Sequence, residues 1–333
     1  MKASRIVKEL LMVGVIFLML FSFSTEAFSW GDATHIYISD RLKARFGRYN
    51  TNEMWGSLGP DIFNFIFDQD LCPIWLAEQT HGGTTESSMK VWNAASTTIE
   101  KSLAYGFLSH NERWGADYTA HISGLMFGEG VGYINAKAMV LLDTPIDPIN
   151  PYDPDLNPKF SEIFSSIGMT SEQQLIITHV IAEYAIDIML KSDVDRFIGR
   201  KLRTAASSRS SKFPGLLVEA YAADYAANCA GIDYDTAVSI ITSAESEYRN
   251  SMSFYGKALS LPQLIAVKLI AKQIVALAPG FLGGPLPIPE VDAVEIVKAV
   301  IYVSMEICDD YMTEINATIE FVGNNLITNG IVY

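Results

Sequence analysis

Five histidines occur in this 333-residue chain, few enough that the company each one keeps carries information. His179 stands in the run ITHVIAEYAID, with Glu183 four residues on and Asp187 four beyond that. Four residues make about one helical turn, a rise of about 6 Å, so an imidazole and a carboxylate at this spacing share a face and can grip one ion. A lone HxxxE also occurs on solvated helix faces. Here the neighbours Ile176, Ile177, Val180, Ile181, Ala182, Ile186 and Ile188 are apolar, so the polar groups among them are expected to be buried and to need partners.

A second cluster lies in GFLSHNERWGADYTAH, residues 106–121, which offers His110, Glu112, Asp117 and His121. Asp117 and His121 are one turn apart. His110 and Asp117 are seven apart, about 10.5 Å of rise on a straight helix, too far to share an ion unless the chain kinks, and Gly115 marks where it can. Glu112 is the alternative ligand. His35 follows Trp30 by five residues in WGDATH, while Asp61 in GSLGPDI and His81 in THGG sit beside glycines that allow close backbone approach. Imidazole and carboxylate are the ligands zinc takes in the absence of thiolate. The three cysteines, Cys72, Cys229 and Cys308, are widely separated with no CxxC spacing, which leaves room for one disulfide at most and does not say which.

The elements that must position these groups are helices. Apolar residues recur at helical spacing through most of the chain without a series of alternating strand segments, which predicts an all-α protein. Helices are expected at 33–46, 89–109, 171–193, 214–230, 234–249, 262–278 and 290–320, the third starting at the Thr170–Ser171 pair before Glu172. The five prolines of TPIDPINPYDPDLNPK (144–159) and the run PGFLGGPLPIP (279–289) predict loops. Asp143, Asp147, Asp153 and Asp155 in the first of these do not match an EF-hand and are read as a solvated turn. The apolar run Leu259–Leu277, with Lys268 and Lys272, is read as core packing.

At the N-terminus, Lys2, Arg5 and Lys8 precede an unbroken apolar stretch from Leu10 to Phe21. This is the layout of a secretory signal peptide, and it is shorter than the roughly 20 residues a membrane span needs. Ala27 and Ser29 are the small residues before a cut that leaves Trp30 first. The expected organisation is therefore a signal peptide at 1–29, a domain at 30–200 and a C-terminal helical region of unassigned role at 201–333, in a protein that is secreted or periplasmic. The net charge of −14 becomes one unit more negative without the leader. Such a charge repels anionic bilayers and nucleic-acid backbones, so a bound metal would have to supply the local positive charge that a phosphate requires.

Together these residues resemble the zinc-dependent phospholipase C family, to which single-strand nucleases with an N-terminal tryptophan are related. The resemblance covers roughly residues 30–190. It implies a multi-helix bundle with extra C-terminal helices here, and up to three zinc ions, one of them bound by the N-terminal tryptophan through its amino and carbonyl groups. Carried over, it places Trp30, His35 and Asp117 on one zinc, Asp61, His81, His110 and Asp117 on the second, and His121, His179 and Glu183 on the third, with Asp117 as the bridge. It further implies metal-assisted phosphodiester hydrolysis with Asp61 as the group that orients or deprotonates the attacking water. A phospholipid is then the expected substrate, with transient contact to a membrane surface and no protein partner indicated. Single-strand nuclease activity, for which Trp55, Trp75, Trp92 and Trp114 would supply stacking surfaces, and a non-catalytic metal-binding role are the alternatives.

Overall fold

The computed structural model describes residues 30–66, 68–82, 85–145, 158–282, 284–286 and 288–333. The expected signal peptide at 1–29 and Asp147, Asp153 and Asp155 of the proline-rich segment lie outside these. The fold is all-α. In chain order the helices are α1 (Asp32–Leu42), α2 (Arg48–Gly56), α3 (Pro73–His81), α4 (Thr85–Ala94), α5 (Thr98–His110), α6 (Tyr133–Leu142), α7 (Phe160–Ser166), α8 (Ser171–Met189), α9 (Ile198–Ser208), α10 (Phe213–Asn228), α11 (Tyr234–Leu259), α12 (Gln263–Leu282), α13 (Glu290–Ile307) and α14 (Tyr311–Thr328). A 3-10 turn at Pro60–Phe65 and π turns at Tyr118–Ile122 and Leu190–Val194 complete the elements used below. Among the described residues there is no strand, only an isolated bridge between Pro145 and Lys159.

Two expected helices are each a pair. The span 89–109 divides because Thr97 opens a new helix: its hydroxyl accepts from the Glu100 N–H at 3.3 Å, and the Glu100 carboxylate accepts from the Thr97 N–H at 2.8 Å. This is a reciprocal cap that satisfies two otherwise orphaned donors. The span 290–320 divides at Cys308, where the Asp310 side chain is drawn off to Tyr133 and Lys137. Helix α8 starts where expected, but the partner of Thr170 in its cap is Gln173. Helix α11 runs ten residues past the expected end, since nothing at 249–259 breaks it and Met252, Tyr255 and Leu259 face the core. Helices α2, α3, α6, α7 and α9 were not expected. Segments such as RYNTNEMWG carry little apolar periodicity and are held by their neighbours.

Helix α8 is buried on every side from Ile176 to Leu190, as its all-round apolar sequence requires. It packs against α1, α6, α7, α12 and α13, while α11 packs against α9, α10 and α12. One continuous apolar core runs from Trp30 to Ile331 and takes in both sides of residue 200. Within α12 the window Gln263–Gly280 is long and apolar enough to cross a membrane by length and composition, and its Ala266, Val267, Ile270, Ala271 and Ile274 are buried against neighbouring helices. Cys72, Cys229 and Cys308 are all free thiols.

The contact that most directly sets the site is the crossing of α2 and α5. A Cβ on Gly106 would stand 1.9 Å from the Glu53 carbonyl oxygen, and one on Gly56 would stand 2.0 Å from that of Leu103. The two backbones therefore touch, and the Ser57 carbonyl comes within 2.8 Å of His110 Nδ1. Gly106→Ala should lower stability by about 1–3 kcal/mol, read as a lower denaturant midpoint. Gly215→Ala on α10, where a Cβ meets nothing within 4 Å, should leave it unchanged or slightly raised. A second expectation concerns pH. The Lys212 ammonium, followed by the Thr97 and Ser96 donors, holds the Glu100 carboxyl down at about 2, against an ordinary 4.5. A depressed carboxyl contributes stability above its unfolded pKa and loses it as protons bind. The stability deficit of Glu100→Ala should be full above about pH 4.5 and shrink as pH falls toward 2, measured by denaturation across that range.

Candidate metal centre

Helix α1 begins without a cap from its own chain neighbourhood, because its first flanking residue is Gly31. Asp187 on α8 supplies one from a distance. Its carboxylate accepts from the N–H groups of Ala33 (2.9 Å) and Thr34 (2.8 Å) and from the Thr34 hydroxyl (2.7 Å), at the end of the helix where negative charge is favoured. Tyr255 on α11 donates to the same carboxylate at 2.8 Å. This clamp fixes the first turn of α1 and thereby His35.

From α5 the chain does not continue as a kinked helix to Asp117. It stops at His110 and turns. Asn111 Oδ1 accepts from the N–H groups of Arg113 (2.9 Å) and Trp114 (3.0 Å), and its amide donates to the Leu108 carbonyl at 2.6 Å. Gly115 closes the turn, since a Cβ there would stand 2.5 Å from the His110 carbonyl. The reversal brings Asp117 back to His110, which sequence spacing alone placed two turns away. Trp30, 1% exposed, locks this segment: its indole N–H is shared between the Ala116 carbonyl (3.1 Å) and the Thr119 hydroxyl (3.0 Å), and the ring stacks on Tyr133.

All five histidines and the three principal carboxylates converge. His35 Nε2 is 3.3 Å from Asp117 Oδ1, while His110 Nε2 and His81 Nε2 lie 2.8 and 3.9 Å from Asp117 Oδ2. Asp61 Oδ1 is 3.2 Å from His81 Nε2 and 3.6 Å from His110 Nε2. His121 and His179 form a neighbouring group with Glu183, whose Oε1 is 2.8 Å from His179 Nε2. Glu112 Oε1 lies 3.2 Å from His121 Nδ1 and belongs to a further group with Asp117 and His121. Asp117, fully buried, thus stands between the first two groups with one oxygen toward each, and Glu112 sits at the edge of the third.

The rings are oriented by their other nitrogens. His110 Nδ1 donates to the Ser57 carbonyl (2.8 Å), His81 Nδ1 to the Ala77 carbonyl (3.0 Å) and His179 Nδ1 to the Asn135 side-chain carbonyl (2.9 Å). Carbonyls only accept, so in the neutral rings Nδ1 carries the proton and Nε2 keeps its lone pair facing the cluster, the arrangement found in metal-ligating histidines. Asn135 also donates to the His121 carbonyl at 3.1 Å, and Asn64 to Asp61 Oδ1 at 3.0 Å.

Burial and crowding perturb many of the groups in and around the cluster. Burial, reinforced by Asp61 and Asp187, pushes Asp32 up to about 8, and burial pushes Asp187 up to about 6. Glu183 is raised well above the carboxylate range by burial and then by Asp61, Asp32, Asp187 and Asp117. Burial and the neighbouring His110 depress His35. Burial opposes His110, but Asp117 and Asp61 outweigh it and hold it at about 9. Burial likewise opposes Asp117, yet His110 and His35 hold it well below the usual range.

Among the described residues, His121 Nε2 is buried with no hydrogen-bond partner, while Asp117, His110 and Glu183 face only the neighbouring imidazoles and carboxylates across the short separations given above. A buried polar atom left unmatched costs about 1–3 kcal/mol. Ligand atoms about 2.1 Å from one tetrahedral ion stand about 3.4 Å apart, close to the separations found here. The donor set, its aim and the unmatched His121 nitrogen fit bound metal.

Of the nine ligands that the resemblance implied, the structure brings the side chains of His35, Asp61, His81, His110, Asp117, His121, His179 and Glu183 into groups that could hold a metal ion, while Trp30 meets its neighbours here through its indole; the supports of these residues were not expected. Asp187 was visible only as a third residue on the face of His179 and Glu183, Asp32 was hidden by its place next to the start of α1, and Asn135 gave no signal. Metal addition should raise the thermal midpoint of the chelated protein. Glu183→Gln should lose about one metal equivalent, and Asp117→Asn more than one, by elemental analysis of purified protein. No protein-family model, curated protein or solved structure matches this chain.

Proposed function

We propose that the chain is an exported zinc-dependent phosphodiester hydrolase of the phospholipase C type, acting on zwitterionic phospholipid head groups. The observation that carries this is the junction at Asp117, where one buried carboxylate faces His35 through one oxygen and His110 and His81 through the other, with Asp61 alongside. A nitrogen and oxygen donor set without thiolate suits zinc. The resemblance of the ligand series to that family supports the same conclusion, and Lys2, Arg5 and Lys8 before Leu10–Phe21 support export.

Zinc held in this cluster would supply Lewis acidity that activates water near neutral pH, and positive charge to balance phosphoryl oxygens. The chain's own groups do the rest. His35, His81, His110 and Asp117 would fix the charge in place, the rings of His81 and His110 being held by their Nδ1 bonds to the Ala77 and Ser57 carbonyls. Asp61, 13% exposed where Asp117 is sealed, is the carboxylate of this group that reaches solvent. Asn64 steadies its Oδ1, and Asp61 accepts the proton of the attacking water. The protein's charge of −14 disfavours polyanions and suits a substrate that carries its own cation, such as choline.

The tryptophans favour lipid over single strands. Trp55 and Trp114 are buried, Trp75 stacks on Tyr225, and the Lys101 ammonium covers Trp92 at 4.1 Å, so these rings are engaged in packing. Purified protein should release the phosphorylated head group from phosphatidylcholine, lose this with chelator, and leave single-stranded DNA intact. Asp61→Asn should reduce turnover about 10²–10⁴-fold with metal content nearly unchanged. Loss of metal with unaltered turnover per bound site would contradict the role of Asp61.

A further inference from the structure

Immediately after His121 the chain leaves the cluster for a short loop, residues 122–131, and its surface is apolar. Ile122 is 45% exposed, Leu125 39%, Met126 56%, Phe127 39% and Val131 41%. A chain can leave single apolar residues in water, but five in ten residues beside a polar centre need a reason.

The loop is built to present them. Glu314 on α14, fully buried, accepts from the backbone N–H groups of Leu125 (2.6 Å), Met126 (2.9 Å) and Phe127 (3.0 Å). Three consecutive peptide groups thus point inward to one carboxylate. The base is closed by Gly132 N–H on the Gly128 carbonyl at 2.8 Å and by Gly130 N–H on the Ser123 hydroxyl at 3.0 Å. Asn135 joins loop to cluster, donating to the carbonyls of His121 (3.1 Å) and Val131 (3.2 Å) while its own carbonyl holds His179. The apolar tip and the metal-ligating histidines are therefore parts of one fixed assembly.

We propose that loop 122–131 is a membrane-docking element that inserts Leu125, Met126 and Phe127 into a zwitterionic lipid surface and so presents the metal centre to head groups. This names the physical form of the substrate and rests on the function proposed above. Charge selects the surface. The loop carries no cation and one anion, Glu129, in a protein of net charge −14; an anionic bilayer would repel it and a neutral one would not. Adsorption is then driven by apolar burial at the interface.

The test uses the metal-loaded protein as its host processes it, wild type and Leu125→Ser/Met126→Ser/Phe127→Ser prepared alike, so that any contribution of Leu10–Phe21 is common to both. Flotation with phosphatidylcholine vesicles should recover the wild type, and the bound fraction should fall at least ten-fold in the variant. Mixing phosphatidylserine into the vesicles should weaken binding. Metal content and hydrolysis of a soluble, monomeric phosphodiester such as bis(p-nitrophenyl) phosphate should be the same in both proteins. Equal flotation of the two proteins, no flotation of the wild type, or stronger binding to anionic vesicles would overturn the proposal. So would a wild-type dimer in sedimentation that the variant abolishes, since a second copy would then be the occupant. Flotation without hydrolysis of either substrate would sink the proposed function and leave the docking loop standing, whereas hydrolysis without flotation would do the reverse.

Discussion

Asp117 is a carboxylate in a place water does not reach, with His35 at 3.3 Å from one oxygen and His110 at 2.8 Å from the other, and these imidazoles hold its carboxyl well below the usual range. A buried charge is tolerated only when opposite charge is close and geometrically fixed, and much of the fold around it answers that demand. Helix α1 brings His35 to one oxygen because Asp187 clamps its first turn. The touching backbones of α2 and α5 bring His110 to the other because Gly106 and Gly56 let the Ser57 carbonyl reach its ring. The turn at Asn111 returns Asp117 itself, and Trp30 holds the turn shut. Loosening any of these would leave a buried charge without its partners, and a metal bound here would be coupled to the fold.

The helices beyond residue 200 belong to this arrangement. Tyr255 completes the shell of Asp187, Tyr248 donates to Asp32, Thr318 pairs with Thr119 at 2.9 Å, and Glu314 organises the loop that follows His121. Their role is to hold the ligand-bearing segments from behind, with polar anchors set into a common apolar core. A phenol on α11 and a carboxylate on α14 thus do for the centre what no residue near it in sequence could do.

Part of the cluster was legible because its residues obey helical arithmetic. His179 and Glu183 had to share a face once ITHVIAEYAID was read as a helix, and the scarcity of histidine made their convergence expected. The all-α class followed from periodicity. The seven-residue gap between His110 and Asp117 misled, because the segment is not a helix with a bend but a helix that ends, and the signal was the pair of Asn111 and Gly115 rather than Gly115 alone. The supports were not legible. Asn135 on α6 and Tyr255 on α11 meet the cluster only through tertiary packing, which no local pattern encodes. The short helices α2 and α3 were missed for the same reason, since their formation depends on what they pack against.

The clamp on α1 is assembled from residues 154 positions apart, and the tyrosine that completes it comes 68 residues later still. Thr119 waits for a partner 199 positions downstream. A nascent chain emerging from its N-terminal end would therefore expose most of its imidazoles and carboxylates long before their scaffold exists. Binding of an ion by this cluster would thereby be tied to a late event, the arrival of α11 and α14, and a polypeptide halted short of them would carry the same side chains without their frame.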